Sequence, residues 1–154
     1  MIPSSPENCL LLLSSALEFT EKQNVKMNKL IIDAANKDIF FMIINNSNIY
    51  SISHENSKTN YEKLMILIND FLSSKNLKIK DISTFYLNIG PGSFAGIRNS
   101  ISTIKAIHIV MKIDYYCYSF QYFKGIKEIK YENIPNLCDK FNVKKNLIKP
   151  IYIS

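Results

Sequence analysis

The stretch that most constrains this chain is NIGPGSFAGIRNS, residues 88–100, which holds three of the four glycines in the sequence and its only arginine, Arg98. Behind it runs ISTFYLNIG, a strand-like segment rich in apolar and β-branched residues, and ahead of it SFAGIRNSISTIKAIHIVMK, whose apolar residues recur at helical spacing. The pattern predicts a buried strand, a sharp turn over Gly90 to Gly92, and a long helix that Ser93 caps through its hydroxyl. Free N–H groups at such a helix start suit an anion. The known phosphate patterns fit poorly, however. No lysine and hydroxyl pair follows Gly96, as a Walker loop requires. The spacing GxGxxxG is one residue too long for a dinucleotide fingerprint, and the next strand ends at Ser119 and Phe120 without an acid. Ser93 directly follows Gly92, so a nucleophile elbow is excluded. An anion site therefore stands beside a structural reading, a tight turn in which Gly96 lets the helix pack closely.

The flanking text sets the architecture. KLIIDA, DIFFMIIN and NIYSISH are short apolar runs joined by hairpin-length turns, and they predict an antiparallel meander. TNYEKLMILINDFLSSKNL carries apolar residues at 61, 64, 65, 68, 71 and 72, the stripe of one helix, with Thr59 or Asn60 as its cap and Glu62 in its first turn. DYYCYSF reads as a fifth strand. Meander, helix, strand, helix, strand gives an α/β fold on a mixed sheet, its later strands parallel through right-handed crossovers. After Phe123 the pattern fades. YENIPNLCDKFNVKKNL has room for one short helix, and IKPIYIS reads as a closing strand or extended segment. Residues 1–26 read as a leader, as an over-called start codon ahead of Met27 would give; CLLLLSSAL lacks the basic flank of a secretory signal. The expected division is 1–26 leader, 27–119 lobe, and 120–154 a shortened C-terminal segment.

Charge narrows the function classes only slightly. The net +6 comes from lysine in a chain crowded with Lys, Asn and Ile, as an A+T-rich coding sequence produces. Seven lysines lie beyond Ser119 against Glu128, Glu132 and Asp139, either a solvated basic tail or a surface facing an anion. No apolar run approaches the ~20 residues of a membrane span. Cys9, Cys117 and Cys138 have no CxxC spacing, and His54 and His108 have no companion at ligand spacing. Buried thiols, surface or packing histidines, a cytoplasmic setting, and neither metal nor cofactor are expected.

The words GPGSFAGIR, followed by Lys105 in ISTIKAI, resemble the GPGSFTGLR…AKG segment of the TsaB (YeaZ) family. LIIDAANKDIFFMII is similar to that family's opening strand, aspartate and hairpin, NYEKLMILINDFL to its first helix, and KPIYIS to its closing strand. The resemblance implies an actin-like, Hsp70-like (ribonuclease H-like) N-terminal lobe with a severely shortened second lobe. It implies a non-catalytic scaffold or dimerisation subunit of the machinery that makes N6-threonylcarbamoyladenosine on tRNA. The partner would be a TsaD-like threonylcarbamoyl transferase, with a homodimer as the other pairing, and tRNA reached through the complex. Family members pair through their two helices, which points to Asn60, Glu62, Ile66, Arg98, Ser102 and Lys105. Ala95 replaces the family's usual threonine, and Asn60 stands where many members carry histidine. Asp33 sits where superfamily kinases and ATPases hold a metal-binding acid, but DAANKD offers no glycine or hydroxyl to grip phosphate. An actin-like small-molecule kinase or ATPase fragment, or a decayed paralogue, is the alternative.

Overall fold

The computed structural model describes residues 27–149. Its apolar runs become β1 (Asn28–Asp33), β2 (Asp38–Ile44), β3 (Ile49–Glu55), β4 (Ile82–Asn88) and β5 (Asp114–Tyr118), one five-stranded sheet in the order β3-β2-β1-β4-β5. β1 lies at the centre. It pairs antiparallel with β2, Leu30 opposite Ile43, and parallel with β4, Leu30 opposite Phe85. β4 and β5 continue the parallel half, β5 being reached through α3 (Phe94–Met111). The meander and the parallel crossovers are those that the apolar runs predict.

Alternation along the strands makes two cores. Leu30, Ile32, Phe41, Ile43, Phe85 and Leu87 face the helices and bury against Leu64, Ile68, Leu72, Ile104 and Ile107. The opposite face presents Ile31, Tyr86 and Tyr118, and residues of the C-terminal segment cover it: Phe123, Ile134, Leu137 and Cys138. That segment contributes short turns at Phe120–Tyr122 and Tyr131–Asn133 and the helix α4 (Ile134–Lys140), with Pro135 in the first helical turn, where its missing N–H does no harm. Its lysines stay exposed, and Lys145 reaches Asp114 at 3.3 Å.

Three local expectations are corrected. The first helix is two: α1 (Lys58–Glu62) and α2 (Leu64–Ser74), separated at Lys63. The break lets the Tyr61 hydroxyl reach Ser93 while Leu64, Ile68, Phe71 and Leu72 bury together. The cap is neither Thr59 nor Asn60 but Ser57, whose hydroxyl accepts the Asn60 N–H at 3.2 Å. Met65, counted in the buried stripe, is 37% exposed on the flank that faces α3. Of the closing segment, Ile148 and Lys149 form no strand, as its extended reading allows, and both its remainder (150–154) and the leader (1–26) lie outside the described residues.

Burial of so many weak acids gives the fold an alkaline limit. Burial pushes the Cys117 and Cys138 thiols up to about 12, and drives the Tyr86, Tyr118 and Tyr131 phenols above their ordinary range. From the ordinary thiol value upward, the unfolded chain releases protons that the folded chain holds, so rising pH favours unfolding. We expect a melting temperature that is level near neutrality and falls steadily above about pH 9. Circular dichroism melts in reducing buffer across that range would show it; a level profile beyond the ordinary tyrosine value would contradict the burial of these groups.

Candidate functional site

The glycine turn and the end of β1 form one construction. Asp33 closes β1 and is fully buried. Its Oδ1 accepts the Ala35 N–H at 3.0 Å. Its Oδ2 accepts Asn36 Nδ2 at 2.9 Å, Asn88 Nδ2 at 3.0 Å and the Tyr131 hydroxyl at 2.7 Å. Four neutral donors thus satisfy a buried carboxylate with no cation among them, which offsets its desolvation. Burial, and next the Asp33 charge, hold the Tyr131 phenol protonated well above its usual range.

From this network the turn is built outward. Asn88 Oδ1 accepts the Gly90 N–H at 2.9 Å, and the Ala35 carbonyl accepts the Ser93 N–H at 2.8 Å. Gly90 sits at φ 106°, and the Gly90–Pro91 peptide is cis. Ser93 caps α3, its hydroxyl accepting the Gly96 N–H at 3.2 Å and lying 3.0 Å from the Tyr61 hydroxyl. A Cβ on Gly96 would stand 1.8 Å from the Ala34 carbonyl oxygen, and one on Gly92 would stand 2.2 Å from that of Ala35. Both glycines exist here so that the helix start can press on the β1–β2 turn. The N–H groups of Ser93 and Gly96 are spent on the chain itself, so of the two readings of the motif the geometry favours packing over anion binding.

The residues named from the helices lie elsewhere. Glu62, Ile66, Ser102 and Lys105 are exposed, and Asn60 is half-buried with its Nδ2 donating to the Glu55 carbonyl at 2.7 Å. Arg98 is exposed, its guanidinium carbon 6.0 Å from the centre of the Phe94 ring, and no carboxylate pairs with it among the described residues. About three turns further along, α3 turns apolar side chains outward: Ile109 is 58% and Val110 80% exposed, with Ile66 of α2 at 56%. Met65, Ala106, Ile107, Val110 and Met111 line a shallow groove of about 370 Å³ between the two helices. His108 packs inward, its Nδ1 2.9 Å from the Ile113 carbonyl and its ring edge-on to Tyr115. Among the described residues no cluster of three or more His, Cys, Asp or Glu side chains could hold a metal, and no helix is long and apolar enough to cross a membrane.

A family model for the tRNA N6-adenosine threonylcarbamoyltransferase TsaD matches residues 49–119. The tRNA threonylcarbamoyladenosine biosynthesis protein TsaB of Buchnera aphidicola subsp. Schizaphis graminum (strain Sg) is 32% identical over 65 residues, 42% of this chain and 31% of that protein. The solved structure of YeaZ from Pseudomonas aeruginosa superposes with a TM-score of 0.56 at 15% identity, covering 60% of this chain and 44% of that one. A second structure, of an uncharacterized protein with similarity to peptidase YeaZ from P. aeruginosa, gives the same TM-score and identity over 43% of its length. The chain resembles the TsaB (YeaZ) family in sequence and in fold. Its lobe shares the fold of the YeaZ structures, a mixed sheet with an antiparallel meander and parallel strands joined through helices. The chain spans about a third of the curated TsaB relative and less than half of the YeaZ chain. Sequence reading singled out the TsaB-like glycine motif but missed Asn36, Asn88, Tyr131 and Tyr61. Only Asn36 left a local trace, in the D-x-x-N spacing of an Asx turn.

Proposed function

We propose that this chain is a non-catalytic scaffold subunit of the machinery that makes N6-threonylcarbamoyladenosine on tRNA. In this reading it docks through α2 and α3 onto a TsaD-like threonylcarbamoyl transferase, and tRNA is reached through the complex. The observation that carries the reading is the outward apolar surface of the two helices, with Ile66, Ile109 and Val110 all more than half exposed. Such a surface on a folded lobe fits a protein partner. Arg98, exposed on α3 and paired with no carboxylate among the described residues, supplies a planar fork for an acidic group across the contact. The alternative, a small-molecule kinase or ATPase fragment, is disfavoured by Asp33, whose acceptors are taken by the chain's own donors.

Ile66→Glu and Val110→Glu test the docking. Each places a carboxylate where an apolar contact would form, and each should weaken binding to the purified transferase by roughly tenfold to a hundredfold with the chain's own melting curve unchanged. The dissociation constant from calorimetry is the readout. Unchanged affinity for both variants would place the contact on another surface. Unfolding of the isolated chain would assign these side chains to its core.

A further inference from the structure

The Asp33 network joins two parts of the molecule that lie on opposite faces of the sheet. On one side, Tyr131 brings the C-terminal strap, residues 120–143, to Oδ2 across 98 positions of sequence. On the other, two short paths lead from the same carboxylate to the start of α3. One runs through Asn88, whose Nδ2 donates to Oδ2 and whose Oδ1 takes the Gly90 N–H. The second runs through Ala35, whose N–H meets Oδ1 and whose carbonyl takes the Ser93 N–H. Because both paths and the Tyr131 hydroxyl share one carboxylate, none can shift without leaving a buried donor or acceptor unpaired.

We propose that Asp33 is a relay that couples closure of the strap to the seating of α3, so that the two open and close as one unit. This goes beyond the docking reading: it gives the chain a device by which the covered face of the sheet reports to the helix on the other face. The Tyr131 ring also stacks on Phe40, with centroids 4.2 Å apart, so Tyr131→Phe removes the hydroxyl while the stack keeps the ring in place.

Native-state hydrogen exchange on the isolated full-length chain tests the coupling without any partner, so its outcome is separate from that of the docking experiment. In a low-urea series, the Ala35, Gly90 and Ser93 amides should share a single opening isotherm with the Phe141 and Val143 amides, which close the end of α4 on the Leu137 and Cys138 carbonyls. The α2 amides should open separately and less often. Tyr131→Phe should speed exchange at all five coupled amides together, by roughly tenfold, and leave α2 within about twofold. Separate isotherms for the strap and the turn, or a variant that loosens only α4, would overturn the relay. If Tyr131→Phe unfolds the whole chain, the wild-type urea series decides alone.

Discussion

Replacing Gly96 with alanine is expected to remove at least about 3 kcal/mol of stability, enough to unfold much of a marginal domain. The added methyl would meet backbone on both counts: the Ala34 carbonyl oxygen at 1.8 Å and its carbon at 2.9 Å. No rotamer relieves a clash with main chain, and Ala34 is fixed at the end of the central strand. The helix start would have to lift, which breaks the Ser93 N–H bond to Ala35 and moves Tyr61 off the cap. Urea denaturation of Gly96→Ala beside Gly125→Ala gives the contrast. Gly125 has a positive φ of 88° but open space around its would-be Cβ, so its alanine should cost only about 1 kcal/mol. A cost at Gly96 no larger than that at Gly125 would show that the helix start can lift without loss, and that close approach is not what the motif's glycine provides.

Asp33→Ala should be similarly severe, about 3–5 kcal/mol, because it strands the buried Asn88 amide and Tyr131 hydroxyl without an acceptor. Asp33→Asn keeps one acceptor oxygen and should cost about 1–3 kcal/mol. The sign of these changes bears on function. A carboxylate held ready for a metal ion is commonly a strained, destabilising group, and neutralising it commonly raises stability at the expense of activity. An Asp33→Asn chain that melts above the wild type would therefore argue for a ligand-holding acid, against the scaffold reading. Thermal melts of both variants in the same buffer decide it.

The sheet was legible because β1, β2 and β4 are buried on at least one face and bounded by turns, so each run announces its own limits. The α1–α2 break was not. Tyr61 falls in phase with Leu64 and Ile68, and nothing nearby shows that its hydroxyl is wanted by Ser93, 32 positions on. The glycine motif was readable as a turn that allows close packing. Which backbone it packs against was not, since the Ala34 and Ala35 carbonyls come from another hairpin. Asp33 shows the limit most clearly. Its local surroundings explain why it cannot grip phosphate, but the reasons it stays buried lie 55 and 98 residues away, in Asn88 and Tyr131. Pairings over such distances leave no periodicity in the text.

The span between Asp33 and Tyr131 also sets an order of events on the ribosome. The meander emerges first, and β4 with its Asn88 amide follows, but the phenol that completes the carboxylate's shell is synthesised 98 residues after it. Until then Oδ2 faces water where the hydroxyl will sit, and Ile31, Tyr86 and Tyr118 wait uncovered on the same side. With only the residues through β5 outside the ribosome, the helix side of the sheet could close while the other stayed bare, an aromatic surface of the kind that chaperones hold.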